Sequence, residues 1–194
     1  MYEKLNITEN HLQVLSLFTK GFDRGHYIRE VQKLLKISPR TAQLILDTLE
    51  KKAVIESKTM GKIKMYKLKK NMITREYLII TEEYKKISFL EKNPIISNVI
   101  EKITPCIRGV GVVFGSYAKG TQKENSDIDI FIAGEYDKDE IDEISELYGV
   151  NISVKRYPLE TFKRGIGSDV LLKEIAGDHI VISQVEDFIN IVVQ

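Results

Sequence analysis

Two acids at the start of an apolar strand constrain this chain most. The stretch VVFGSYAKGTQKENSDIDIFI, residues 112–132, opens on an apolar run, turns polar after Gly115, and reaches Asp127 and Asp129 as a second apolar run begins. Residues two apart in a strand face the same side, so we expect both carboxylates on one face. Neighbouring carboxylates repel each other and are costly to desolvate, and a divalent cation between them removes both penalties. The pair therefore predicts a metal site.

The turn after the first apolar run has the composition of a phosphate-binding turn. Gly115 permits a tight turn and close approach of a ligand to the backbone. Ser116 adds a hydroxyl and a backbone N–H at the start of a predicted helix, where anions bind favourably. Mg²⁺ prefers one or two carboxylates together with phosphate oxygens. Such a turn beside an acid pair predicts phosphoryl or nucleotidyl transfer.

Residues 115–129, GSYAKGTQKENSDID, closely resemble the signature of the nucleotidyltransferase superfamily, the fold group that includes DNA polymerase beta. They are most similar to the minimal nucleotidyltransferase domains, whose pattern is Gly-Ser-x-Ala-Arg-Gly, five residues, then Ser-Asp-Ile-Asp; Lys119 stands here in place of the arginine. The resemblance spans about residues 95–194 and implies a mixed sheet flanked by helices. It implies that Gly115 and Ser116 hold the triphosphate of a nucleoside triphosphate.

The same resemblance implies that Asp127 and Asp129 are the catalytic residues and bind Mg²⁺ or Mn²⁺. Lys119 either supports the phosphates or is solvated. Ser126 either caps a turn or orders the surroundings of the metal. These roles would make the chain transfer a nucleoside monophosphate from the triphosphate to a hydroxyl acceptor.

The family carries a third acid on a later strand, and this chain departs from that pattern. The next predicted strand is VNISVKRY, residues 150–157, whose inward candidates Asn151 and Ser153 are not acidic. Asn151 can still offer a carbonyl oxygen to a metal. Two hypotheses follow: a nucleotidyltransferase, or a weakly catalytic or non-catalytic regulator that binds nucleotide.

Charge divides the chain into a basic and an acidic part. Residues 1–70 hold 15 Lys+Arg against 7 Asp+Glu, a net charge of +8, and residues 71–194 hold 14 against 21, a net charge of −7. This asymmetry indicates two modules with different partners. The basic part is typical of nucleic-acid binding or of a merely lysine-rich surface.

The basic part has the pattern of three helices and a hairpin. We predict a first helix capped by Thr8, a second over Tyr27–Ile37, and a third that starts at Ser38-Pro39. Two short strands follow and turn at Met60-Gly61-Lys62. This order resembles a winged helix-turn-helix domain, so the predicted fold class is α+β: an N-terminal winged helix and a C-terminal mixed sheet flanked by helices.

In the winged-helix family the third helix enters the major groove of double-stranded DNA. That resemblance places Arg40, Thr41 and Gln43 at the base edges. The DNA-binding lysines of the wing would be Lys58, Lys62 and Lys64, which would contact phosphates. Many winged helices instead bind protein or act as spacers, and both alternatives stay open.

The predicted domains are 1–70, a connecting helix over 71–93 that ends before Pro94, and 94–194. The connecting helix carries a stripe of apolar residues that packs either on its own protein or on a second copy, as a homodimer: Ile73, Tyr77, Ile80, Tyr84 and Ile87. Family members often pair with a helical partner protein as the antitoxin-like half of a two-protein system. The resemblance thus implies such a partner and a transcriptional regulator of its own promoter.

Other function classes receive little support. Apolar runs are too short to cross a membrane, and the N-terminus lacks a signal-peptide core, so we expect a cytoplasmic protein without a membrane partner. Cys106 has no second cysteine with which to form an internal disulfide, in keeping with a reducing compartment. No Cys/His cluster has zinc spacing.

Overall fold

The computed structural model describes residues 5–61 and 63–193, without the side chain of Met60, and the chain divides into two compact units between Thr81 and Glu82. Helices and two separate sheets make it an α+β protein, which confirms the predicted fold class. The predicted domain bounds differ from this division and stay a prediction.

The first unit contains three helices, α1 (Glu9–Phe18), α2 (Ile28–Leu35) and α3 (Pro39–Lys51), and a hairpin of β2 (Ile55–Met60) and β3 (Ile63–Leu68). A short strand β1 (His26–Tyr27) completes a sheet in the order β1-β3-β2. The second helix is shorter than predicted at both ends. Tyr27 belongs to β1 instead, where it pairs with Met65 of β3. At the other end, Lys36 terminates the helix in a left-handed conformation with φ 54°.

Local sequence signals explain the start of α3. Ser38 caps the helix: the Thr41 backbone N–H donates to Ser38 Oγ at 3.0 Å, and Pro39 occupies the first helical position. Behind the helix, a core of fully or almost fully buried side chains joins the three helices to the hairpin, and it includes Phe18, Val31, Leu46, Leu49, Ile55 and Tyr66.

Helix α4 (Met72–Lys92) forms over the predicted connecting segment. Tyr77 of the predicted stripe is buried, but Ile73, Ile80 and Ile87 are 50%, 40% and 54% exposed. The buried side of the helix carries Thr74, Leu78 and Thr81 instead. The two threonines can be buried because their hydroxyls donate to nearby carbonyls, as Thr81 Oγ1 does to the Tyr77 carbonyl at 2.7 Å. The homodimer stays a prediction.

The second unit is built on a mixed four-stranded sheet in the order β6-β5-β4-β7. Its strands are β4 (Ile107–Phe114), β5 (Ile128–Tyr136), β6 (Ile152–Tyr157) and β7 (Ile180–Ser183). Strand β4 runs antiparallel to β5 and β7, and β5 runs parallel to β6. The two acids therefore lie at the start of a central strand, between β4 and β6.

Helices cover both faces of this sheet. On one face, α5 (Pro94–Ile103) and α7 (Lys138–Tyr148) pack on the apolar side chains of Ile128, Ile130 and Ile132. On the other, Phe131 contacts Phe162 of α8 (Leu159–Gly165), and Phe162 stacks on Phe188 of α10 (Val185–Val192). Two further helices are α6 (Gly115–Lys119), directly after β4, and α9 (Val170–Gly177), which precedes β7; a 3-10 turn at Thr104–Cys106 links α5 to β4.

In the described parts of the chain, no helix has both the length and the apolar composition that crossing a membrane requires.

Candidate nucleotide and metal site

The turn after β4 and the acid of β5 lie against each other. Phe114 at the end of β4 is paired with Asp129 in β5, and Gly115 follows with φ 68°, a left-handed conformation that favours glycine. A Cβ built on Gly115 would overlap Asp129 Oδ2. Glycine is therefore required at position 115 for two reasons. Its backbone conformation is left-handed, and the carboxylate of Asp129 occupies the space of a side chain. The predicted turn and the predicted acid meet in one place.

The acid pair is electrostatically unfavourable by itself. Asp127 is exposed and Asp129 is half-buried. Burial raises the pKa of Asp129, and the negative charges of Asp127 and Glu174 raise it further, while Lys155 and Lys119 act against them.

In the described parts of the chain neither acid forms an ion pair. Two adjacent, unpaired carboxylates, one of them partly desolvated, fit a hard divalent cation.

Helix α6 is short, and this limits what its N-terminus contributes. It holds five residues, Gly115–Lys119, and ends at Gly120, which adopts φ 67°. The Ser116 carbonyl accepts a hydrogen bond from the Thr121 N–H at 2.9 Å, which closes the segment after one turn. So short a helix adds little dipole, and a phosphate here would depend on the backbone N–H groups of the turn itself.

Lys119 is engaged by an acid from another helix. Its Nζ lies 2.7 Å from Glu174 Oε1 of α9, and this hydrogen bond raises the pKa of Lys119. The positive charge that Lys119 offers to a phosphate is thus already shared with Glu174. Ser126 lies in the loop before β5, where its Oγ accepts a hydrogen bond from the Lys123 N–H at 2.8 Å. This geometry matches the turn-capping role among the two roles predicted for Ser126.

The two candidates for the third acid are placed differently. Ser153 is the register partner of Asp129 across β5 and β6, so it lies beside that acid on the same face. Asn151 precedes β6 and is exposed, and its backbone carbonyl accepts a hydrogen bond from the Ile128 N–H at 2.8 Å. Within the described residues, no group of three His, Cys, Asp or Glu side chains is arranged to hold a metal ion. The position beside Asp129 is therefore a serine.

Sequence reasoning missed two charged neighbours of the site, Lys155 and Glu174. Lys155 follows Ser153 by two residues in β6 and is the register partner of Phe131. The alternation of a strand puts Ser153 and Lys155 on one face, so the residues VNISVKRY already contained the signal. Glu174 was also passed over, because it sits in a helical pattern whose position relative to the sheet depends on tertiary packing.

The residues predicted to contact DNA lie in the first unit. Arg40 and Gln43 are exposed on α3, whereas Thr41 is half-buried and its Oγ1 lies 2.8 Å from Ser38 Oγ. Lys58 is exposed on β2, and Lys62 lies outside the described residues.

Lys64 is less free than expected. Its Nζ lies 2.7 Å from Glu50 Oε2 and 4.9 Å from the centre of the Tyr66 ring.

Comparison with known proteins bears on the second unit. Residues 95–186 match the family model described as "Nucleotidyltransferase domain". No curated protein matches the chain in sequence. Among solved structures, one similar chain is TrmBL2, described as an archaeal chromatin protein with a novel mode of DNA binding; the match covers 87% of this chain and 70% of that one at 17% identity, and its TM-score of 0.30 is too low to support an argument. A nucleotidyltransferase domain is thus supported by the family model for residues 95–186, the stretch that contains the turn and the acid pair.

Proposed function

We propose that the second unit binds a nucleoside triphosphate with Mg²⁺ or Mn²⁺ and transfers its nucleoside monophosphate to a hydroxyl acceptor. The observation that carries this proposal is the packing of Asp129 against Gly115, within the residues that match the nucleotidyltransferase model. Gly115 and Ser116 would hold the triphosphate through the backbone of the turn. Asp127 and Asp129 would hold the cation, which when bound offsets the charge of both carboxylates and of the phosphates.

The chemistry is a displacement at the α-phosphorus. The acceptor oxygen forms a bond to the α-phosphorus, the bond from that phosphorus to the α–β bridging oxygen breaks, and pyrophosphate leaves with the electron pair. The acceptor hydroxyl releases its proton to water, because the residue beside Asp129 is Ser153 and not a carboxylate. General-base help is typically worth about 100- to 10,000-fold, so transfer is expected to be slow.

Transfer is tested with each of the four nucleoside triphosphates labelled at the α-phosphate, with and without candidate partner proteins and nucleic acids. Mg²⁺-dependent incorporation of the α-label, lost in Asp129→Asn, supports the proposal. Asp139→Asn is the matched control, since Asp139 is an exposed acid in the first turn of α7, a helix on the other face of the sheet. The same assay is repeated with γ-labelled triphosphates, because incorporation of the γ-label instead of the α-label would mean phosphoryl transfer and would overturn the assignment.

A second function is supported by the first unit. The N-terminal turn of α3 exposes Arg40 and Gln43 after a capped start, and residues 1–70 carry a net charge of +8. We propose that this unit binds double-stranded DNA, so that the whole chain acts as a DNA-binding regulator whose second unit binds nucleotide or a helical partner protein. Binding of the full chain to duplex DNA that weakens steeply with salt is the test. Absence of salt-sensitive binding to any duplex would leave the first unit as a protein-binding module or a spacer.

A further inference from the structure

Lys155 lies on the side of Asp129 that is away from the Gly115 turn. Strand β5 lies between β4 and β6, so Asp129 separates the Gly115 turn from β6. The register places Lys155 two pairs beyond Ser153, diagonal to Asp129 on the same face. Neighbouring strands lie about 4.8 Å apart and rise about 3.3 Å per residue, so residues offset by two lie about 8 Å apart, within reach of the four-carbon stem of lysine.

In the described part of the protein, no acidic side chain is paired with Lys155. Lys155 is exposed and forms no ion pair there. Lys119, the other cation that acts on Asp129, differs in this respect because it is paired with Glu174. Arg156, the next residue of β6, is paired with Glu135. The ammonium of Lys155 nevertheless acts on Asp129, since it opposes the rise in the pKa of that acid.

The composition of this face fits one divalent cation better than two. A two-metal site of a phosphoryl-transferring enzyme clamps the attacking and the leaving oxygen with ions about 3.5–4 Å apart. Two carboxylates can neutralise a first ion, but a second ion on the β6 side would face Ser153 and the ammonium of Lys155. Glu174, the third carboxylate whose charge acts on Asp129, is paired with Lys119. The attraction that retains the second ion would be missing, and a repulsion would be added.

We propose that Lys155 takes the place of the second metal ion: its ammonium binds a non-bridging oxygen of the α-phosphate, and the site holds one divalent cation with its triphosphate. This inference rests on the proposed nucleotide site. Lysine is suited to the role because it binds phosphate as a compact point charge on a flexible stem. It stabilises charge on the α-phosphoryl group during transfer without accepting the acceptor's proton, which goes to water.

The metal count gives the first test and does not depend on activity. Free Mn²⁺ is measured by electron paramagnetic resonance while the full chain is titrated in the presence of the four α,β-methylene nucleoside triphosphates, which cannot release pyrophosphate. Wild type is expected to bind one Mn²⁺ per chain in the presence of whichever of the four analogues it binds. The double variant Ser153→Asp/Lys155→Ala is expected to bind two, because it restores a carboxylate and removes the repelling charge.

Affinity for the same analogue gives the second test. Lys155→Ala is expected to weaken Mn²⁺-dependent binding by about 10-fold, the size of one charge-assisted hydrogen bond at an exposed site. Lys155→Arg keeps the charge and should stay within a few-fold of wild type. Lys138→Ala is the matched control, since it removes one exposed positive charge from α7 on the other face of the sheet.

The outcomes separate this inference from the proposed function. Two Mn²⁺ per wild-type chain, or equal affinities of Lys155→Ala and Lys138→Ala, would overturn the role of Lys155 and leave the nucleotide site standing. No Mn²⁺-dependent binding of any analogue, or unchanged binding by Asp129→Asn, would overturn the nucleotide site and the inference with it.

Discussion

Gly115 and Asp129 share one space: the carboxylate of Asp129 lies where a side chain on residue 115 would have to be. Strand pairing brings this about, because Phe114, the residue before the turn, is the register partner of Asp129. A backbone turn and a charged group are thus fixed relative to each other by a sheet, which is the rigidity that a metal–phosphate site needs.

Gly115→Ala is expected to abolish Mg²⁺-dependent binding of triphosphate and to lower the free energy of unfolding by about 1–3 kcal/mol, the usual cost of local backbone strain. Gly120→Ala is the matched control: Gly120 has nearly the same φ, 67°, but a Cβ there meets open space. Both variants place alanine in a left-handed backbone conformation, but only Gly115→Ala also displaces Asp129. Equal loss of binding in the two variants, measured by calorimetry beside thermal unfolding, would argue against the contact with Asp129.

Asp129→Asn is expected to stabilise the metal-free protein at neutral pH. The folded-state pKa of Asp129 is raised, chiefly by burial, so its charge opposes folding at pH values above that pKa, and the penalty disappears as pH falls below the ordinary aspartate range. Stability of the wild type in EDTA should therefore rise, relative to Asp129→Asn, as the solution is made mildly acidic. Thermal unfolding from pH 7 to pH 4 checks this, and a variant that is less stable at pH 7 would count against an unfavourable acid pair.

Ser153→Asp is expected to raise the rate of transfer by a measurable part of the 100- to 10,000-fold range typical of a general base. The reason is register, since Ser153 lies beside Asp129. Asn151→Asp is the comparison, because Asn151 precedes β6 and is exposed. Single-turnover rates with α-labelled triphosphate distinguish the two, and a larger gain from Asn151→Asp would place the third position at residue 151, two residues before Ser153.

Arg40→Ala and Gln43→Ala are expected to reduce discrimination between DNA sequences, by about 1–3 kcal/mol if the side chain contacts a base. Lys58→Ala should weaken binding to all sequences alike and lower the salt slope by about 1. Lys64→Ala should cost less, because Lys64 is already paired with Glu50. Selection from a random duplex pool, followed by salt titration, measures both quantities; a sequence preference unchanged in Arg40→Ala would contradict the proposed role of α3.

The structural features that depend on a short stretch of sequence were the most predictable. Ser38-Pro39 marked the start of α3, and the spacing of Gly115, Asp127 and Asp129 indicated the turn and the following strand. What the sequence could not supply was the pairing of distant elements. The neighbour of Asp129 in β6, the partner of Lys119 in α9 and the loss of Tyr27 from α2 to the sheet all depend on tertiary packing.

The central claim is that the Gly115 turn and the acid pair together hold a triphosphate through a divalent cation. Calorimetry with an α,β-methylene nucleoside triphosphate, in Mg²⁺ and in EDTA, measures this on wild type, Asp129→Asn and Asp139→Asn. Binding that requires Mg²⁺ in wild type and Asp139→Asn, and is lost in Asp129→Asn, is the predicted result. Binding of equal strength in EDTA, or in Asp129→Asn, would contradict it.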